Sequence, residues 1–354
     1  MDRKQLDETN QQPGGNSRIV LSKVAEMSGV SISTVSRVLN GNVNVAPDTR
    51  AKVLNSISAL GYVSTRLINE RTGLIALTSS SMRGDYYPDI IAGVVEELHY
   101  HNARPVICPI PMRYSVGMPL PERIMQTVTE GALLLGFSED VSEVMDLKKH
   151  NIPFVLVDPG RRVPDGLPVV SSTNEAGARQ AVGYLLTLGH KRIGAIVGAD
   201  WEYRQERLAG YRSTLTSAGL PVRTDLIVEG DSNMDSGYRC ARQLLNLPER
   251  PSAIFAFNDF MAIGALRAAH ECGIAVPDEL SIVGFDDLAP AQYTTPALTT
   301  VHQSLMEIGH IAVDTLFRII EQIKGGGSLQ EIALARTELS THLVIRGTTA
   351  PVAG

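Results

Sequence analysis

The segment SISTVSRVLN, residues 31–40, carries the most informative polar spacing in the chain. Read as a helix, it turns Val35, Val38 and Leu39 to one face and Ile32, Ser33, Ser36 and Arg37 to the other. An arginine so placed can put two parallel hydrogen bonds on guanine O6 and N7, which an ammonium or hydroxyl group cannot imitate. Ser33 can contact several bases, and Ile32 can pack on a thymine methyl. Ser31, Thr34 and Ser36 suit phosphate oxygens, which set register without reading sequence. The same pattern fits an ordinary three-helix bundle in which Ser31 is only an N-cap.

A second polar set follows apolar runs in the rest of the chain. FVLV leads to Asp158, AIFAF to Asn258 and SIVGF to Asp286, while Arg207 opens the helical stretch RLAGY. Carboxylate, amide and guanidinium form a planar hydrogen-bonding set suited to sugar hydroxyls. Each has a plainer reading. Asn258 can cap the helix that starts beside it. Asp286 and Asp287 cannot both face one cleft from a strand, so one of them is structural. Arg207 can pair with Glu206 or Glu202 on its own helix.

Catalytic patterns are missing. There is no GxSxG, HExxH, phosphate loop or GxGxxG. His99 and His101 are two apart on a helical stretch and suit a shared metal poorly. His190, at a helix end in LGHKRIG, reads as structural. The three cysteines, Cys108, Cys240 and Cys272, are far apart and set among apolar residues, which predicts free thiols. The expectation is therefore no enzyme, no cofactor and no metal.

These residues need elements to hold them. VLSKVAEMS puts Val20, Val24 and Met27 on one helical face before Gly29 breaks the pattern. The 31–40 helix follows after a short turn, the arrangement of a helix-turn-helix. Pro47 and Asp48 then start a third helix with Val53, Ile57 and Leu60 as its stripe, and Gly61 closes it. From residue 73 onward short apolar runs alternate with amphipathic stretches, the pattern of parallel sheets covered on both faces. So long a stretch predicts two α/β lobes rather than one. Their ligands would lie beyond the carboxyl ends of the strands, where Asp158, Asn258 and Asp286 fall.

Charge divides the chain in the same way. Its 354 residues carry −6 overall, yet residues 18–66 hold six Lys/Arg against two Asp/Glu, a net +4. Only this small module suits a polyanion. No apolar run approaches the roughly 20 residues that span a bilayer. The polar N-terminus has no signal-peptide core, and a cytoplasmic location without a membrane partner is expected.

The run from Val20 to Tyr62, with AEMSGVSISTVSRVLN at its heart, resembles the DNA-binding headpiece of the LacI/GalR family of bacterial transcription regulators. The likeness continues through LGHKRIG (188–194), ERLAGY (206–211), AIFAFNDFMAIGAL (253–266), VPDELSIVGFDD (276–287) and PALTTVHQ (296–303). It implies an all-α helix-turn-helix headpiece joined to a two-lobed, periplasmic-binding-protein-like core of parallel sheets flanked by helices. The division implied is a flexible tail at 1–17, a headpiece at 18–62, a hinge at 63–72, a core at 73–345 and a tail at 346–354. The N-terminal lobe takes 73–171 plus 303–326, and the C-terminal lobe 172–302 plus 327–345. The resemblance implies a repressor acting as a homodimer on palindromic operator DNA, switched by a small-molecule effector of carbohydrate type between the lobes. Arg207, Asn258 and Asp286 would be effector contacts of the C-terminal lobe, and Asp158, Tyr86 and Tyr87 those of the other. The alternative is a sugar-binding or catalytic core that the headpiece merely localises on DNA.

Two departures from the family pattern matter. GYVSTRLINERTG (61–73) is about one helical turn shorter than the usual hinge and lacks its Pro; Leu67 is the residue of this stretch that can still serve as the minor-groove wedge the resemblance implies. Ser232 occupies the place where sugar sites often carry an aromatic ring, leaving Trp201 or Tyr203 to supply one. Arg161 and Arg162 can favour an anionic effector, or simply be a solvated loop.

Overall fold

The computed structural model describes residues 15–39, 45–59, 72–79, 86–109, 120–125, 129–137, 140–159, 162–198, 202–332, 334 and 336–352. Leu67, Trp201 and Arg161 lie outside them. The chain divides into two units, residues 1–72 and 73–354.

Among the described residues, the first unit holds three helices, α1 (Gly15–Ser28), α2 (Ile32–Leu39) and α3 (Pro47–Ala59). Val24, Ala25, Val35, Val38 and Val53 form its core. Two sequence expectations change here. The first helix begins at Gly15, inside the stretch read as a tail. Met27 is 49% exposed, because the buried face of α1 is Val24, Ala25 and Ser28, whose hydroxyl bonds back to the Val24 carbonyl at 2.5 Å. Gly29 ends α1 with φ +67°, a conformation that costs glycine nothing. Ser31 then caps α2, accepting from Thr34 N–H at 3.2 Å.

Among the described residues, the second unit contains two six-stranded sheets. The first lobe is built from β1 (Leu74–Ser79), α4 (Tyr86–Tyr100), β2 (Arg104–Pro109), α5 (Leu120–Met125), β3 (Gly131–Leu135), α6 (Val141–Lys149), β4 (Phe154–Val157) and β5 (Val169–Ser172). The second is built from α7 (Asn174–Thr187), β6 (Ile193–Val197), α8 (Glu202–Ser217), β7 (Ile227–Glu229), α9 (Met234–Leu245), β8 (Ala253–Ala256), α10 (Asp259–Glu271), β9 (Ser281–Asp286) and β10 (Thr299–His302). The chain then returns to the first lobe with α11 (Leu305–Lys324) and β11 (Arg336–Leu339), and ends on β12 (His342–Val344) in the second.

Strand order is β2-β1-β3-β4-β5-β11 in one sheet and β7-β6-β8-β9-β10-β12 in the other. Every pairing is parallel except β10 with β12. Helix crossovers enforce this, and they bury both faces, so β3, β4, β6 and β8 read as unbroken apolar runs. Each lobe has its own core. The helices flanking the sheets pack through glycines. A Cβ on Gly93 of α4 would meet the Met306 carbonyl oxygen at 2.0 Å, and one on Gly309 of α11 the Ile90 oxygen at 2.3 Å. Gly237 of α9 and Gly264 of α10 make the same close approach in the other lobe.

The end of the chain differs from the sequence reading. Residues 327–345 do not belong wholly to the C-terminal lobe. Leu329 is buried in the first core, and β11 pairs with β5 there before β12 joins the second sheet. Nor is the segment after 345 a loose tail up to Val352. Thr348 is fully buried, accepting from Thr299 N–H at 2.9 Å and donating to the Ile282 carbonyl at 2.6 Å. Two hydroxyl-rich residues in a row, Thr348 and Thr349, replace apolar contacts with hydrogen bonds and so gave no hydrophobic signal. His190 has the structural role expected, held between the hydroxyls of Ser252 (2.9 Å) and Ser281 (3.0 Å), with the Ala350 carbonyl 3.1 Å from Nε2.

Candidate functional site

In both sheets the order reverses beside the first strand, between β1 and β3 and between β6 and β8, the place where open α/β sheets bind ligands. The charged residues expected from the sequence stand at these carboxyl ends. Asp158 follows β4 and Asp286 ends β9, and both are 5% exposed or less. Both have positive φ, +46° and +110°, which non-glycine residues rarely adopt. Such strain persists only where the surroundings fix it and clusters at working sites.

Arg207, 2% exposed on α8, is held on every side. Its Nε donates to Asn174 Oδ1 at 2.9 Å, its Nη1 to the Phe257 carbonyl, and its Nη2 lies 3.2 Å from Asp286 Oδ1. Its guanidinium carbon sits 3.6 Å over the Phe285 ring and 5.0 Å over that of Tyr203. Among the described contacts the carboxylate partner of Arg207 is thus Asp286. Gln303, 2% exposed, donates to the same Asp286 oxygen at 2.7 Å.

On the first lobe, Tyr86 donates its hydroxyl hydrogen to Asp158 Oδ2 at 2.7 Å. Tyr87 stands edge-on to it, 5.2 Å between ring centres, with its hydroxyl packed over Gly136. The two lobes' groups feel one another across the cleft. Burial raises the Asp158 carboxyl above its ordinary range, against the Tyr86 hydrogen bond and the Arg207 charge. Burial pushes Asp286 up to about 7, with Arg207 opposing and Asp158 reinforcing the shift. The Tyr203 phenol is likewise pushed up to about 12 by burial.

Asn258 does what the plainer reading expected. Its Oδ1 caps α10 through Met261 N–H at 2.9 Å, and its Nδ2 donates to the Ser232 carbonyl at 3.0 Å. Of the acidic pair, Asp287 is the structural member, bound by Arg346 at 2.6 Å and His302 at 2.9 Å. Asn174 and Gln303 were not singled out in the sequence. Each follows a strand end at a lobe crossing, and that position was the available signal. Three further polar atoms, Thr78 Oγ1, Ser172 Oγ and Gln303 Oε1, are buried without a hydrogen-bond partner among the described residues.

In the headpiece, α2 presents Ile32 (45% exposed), Ser33 and Arg37 on its open face. Ser31, expected at phosphate, is exposed and its hydroxyl meets those of Ser33 at 2.8 Å and Thr34 at 2.9 Å. Thr34 and Ser36 are half-buried.

A helix-turn-helix unit and a two-lobed core whose buried polar groups face one another define a DNA-binding regulator with an effector-binding core. Residues 20–64 match the model of bacterial regulatory proteins of the lacI family, and residues 182–349 that of a periplasmic binding protein-like domain. The chain is 31% identical to catabolite control protein A of Priestia megaterium over 86% of this chain and 93% of that one. It is 32% identical to the HTH-type transcriptional repressor PurR of Photorhabdus laumondii, over 85% and 91%. Among solved structures, a complex of the transcriptional regulator CelR with cellobiose superposes with TM-score 0.69 at 32% identity, covering 93% of this chain and 99% of that one. The lac repressor dimer bound to operator and the anti-inducer ONPF gives 0.66 at 28%, covering 92% and 98%. The chain belongs to the LacI family of bacterial regulatory proteins and is a DNA-binding transcription regulator. Its relatives are regulators, not enzymes, and no helix among the described residues is long and apolar enough to cross a membrane.

Proposed function

We propose that this chain is a cytoplasmic, homodimeric repressor that binds without turnover and whose grip on a palindromic operator is set by a neutral carbohydrate. Two copies of α2 would read half-sites spaced by the dimer, with Arg37, Ser33 and Ile32 on base edges and Ser31, Thr34 and Ser36 at phosphates. Asp158, Arg207 and Asp286 hold the effector, with Tyr86, Tyr87 and Asn258 beside it. The observation that carries the carbohydrate reading is the charge balance. Two buried carboxyl groups share one guanidinium that is already paired with Asp286, so these three side chains offer an anionic ligand no free cation. Hydroxyls can hydrogen-bond the carboxyl groups and meet the oxygens of Thr78, Ser172 and Gln303 that have no partner among the described residues. The cellobiose bound by the CelR relative supports the same class. A coupling of about 1–3 kcal/mol between the sites suffices for a several-fold to hundredfold change in operator affinity.

A thermal-shift screen of the full chain against neutral mono- and disaccharides, sugar phosphates and purines tests this. A neutral sugar should raise the melting temperature by mass action. Stabilisation by phosphates or purines alone would overturn the effector class, and measured turnover of a sugar would favour a catalytic core.

A further inference from the structure

Away from the cleft, the surface where α4 and α11 pack carries a separate cluster of ligating side chains. Glu97 and His101 lie one turn apart on α4, and Asp314 reaches them from α11. His101 Nε2 is 3.1 Å from Asp314 Oδ1 and 3.7 Å from Glu97 Oε1. All three ligating atoms lie within 4.8 Å of one another. We propose that Glu97, His101 and Asp314 form a site for one divalent transition-metal ion of the zinc class, with a fourth position open to water.

The spacing fits the chemistry. A tetrahedral ion with bonds of about 2.0–2.1 Å sets its ligand atoms about 3.3–3.4 Å apart. The two distances from His101 bracket that edge. The imidazole is also held in place, since its ring stacks on Phe317 with 4.0 Å between centres and planes 10° apart. A ligand whose orientation is fixed by packing does not lose that freedom on binding.

The charges point the same way. One imidazole nitrogen faces two carboxylates, but it has at most one hydrogen to give. Asp314 is within hydrogen-bond reach, and Glu97 is beyond it. A dication at the centre neutralises both carboxylates and accepts the Nε2 lone pair. Calcium and magnesium take oxygen ligands, whereas imidazole with carboxylates suits zinc, cobalt or nickel. His99, the neighbour weighed in the sequence, plays no part. Asp314 is 213 residues from His101, so no spacing motif could show the set. The ion would tie α4, which starts at the cleft tyrosines, to α11, which follows Gln303.

Full-length protein stripped with chelator is titrated with ZnCl2 by calorimetry and with CoCl2 by visible absorption. One ion per protomer is expected, with the d–d absorption of four-coordinate cobalt. His101→Gln and Asp314→Asn should each weaken binding about tenfold or more and remove that absorption. His310→Gln is the control. That residue lies between Glu96 and Glu307 on the same two helices, at 3.3 and 3.5 Å, and its loss should change nothing. Far-UV circular dichroism checks that each variant is folded. No binding by the parent protein, equal binding by the His101 and Asp314 variants, or loss only in the His310 variant overturns the proposal.

Discussion

The Arg207 guanidinium and the Asp286 carboxylate meet at 3.2 Å with both side chains almost wholly removed from water. Such a pair contributes little when replaced as a unit, but removing the arginine leaves Asp286 buried without its counter-ion, to take up a proton or to cost up to about 3–5 kcal/mol as a stranded charge. Arg207→Met should therefore lower the stability of the core by that order in chemical denaturation and abolish any effector-induced change in operator affinity. Arg207→Lys keeps the charge but loses the fork that reaches Asn174, Phe257 and Asp286 together, so the response should still fail. A normal response in the Lys variant would take Arg207 out of the site.

Burial of Asp286 also makes stability depend on pH. Folded Asp286 titrates near 7 against an ordinary 3.8, so the folded chain keeps a proton that the unfolded chain sheds. Its favourable contribution is complete below pH 4 and declines as pH rises toward 7. Asp158 and Asp259, both raised by burial, act in the same direction. The Asp286 contribution to the thermal midpoint should fall between pH 4 and 7, so Asp286→Asn should shift the slope of midpoint against pH upward relative to the parent. An unchanged slope would mean that Asp286 is ionised throughout.

The sequence exposed the architecture wherever packing is apolar. The unbroken strand runs, the helix-turn-helix spacing and the strand-end placement of Asp158 and Asp286 all follow from periodicity and sheet topology. It failed where polar groups replace apolar ones. Thr348 packs through its hydroxyl, β11 (RTEL) has only one large apolar residue, and its partner β5 is more than 160 residues away. It was also silent on contacts made by a single atom between residues distant in sequence, such as Asn174 to Arg207 and Gln303 to Asp286. Which member of Asp286–Asp287 faces the cleft depended on Arg346, whose place no local pattern reveals.

On the headpiece, Arg37 is exposed in the last turn of α2, beside Ile32 and Ser33. An arginine that reads guanine should cost about 1–3 kcal/mol of operator binding when replaced by alanine, with base preference relaxed at one position of each half-site. The check is competition binding on operators selected from random DNA against bulk DNA at fixed salt. Equal losses on both would make Arg37 a phosphate contact, and the salt slope would then drop by about one.

At the root of the core, Glu130 is 3% exposed yet joins two distant elements. One carboxylate oxygen accepts from Gly73 N–H at 2.8 Å, just ahead of β1, and the other from Lys324 Nζ at 3.0 Å, the last residue of α11. Gly73 holds φ +65°, so the chain enters the core in a conformation that its neighbours must fix. Glu130→Ala removes both bonds and leaves buried polar groups unpaired, which should cost about 1–3 kcal/mol of core stability. Glu130→Gln keeps an acceptor for Gly73 and should cost less. Hydrogen exchange of the peptide spanning β1 distinguishes an anchor from mere packing. Protection there should fall in the alanine variant and largely survive in the glutamine one. Equal protection in all three proteins would show that the entry to the core is held without Glu130.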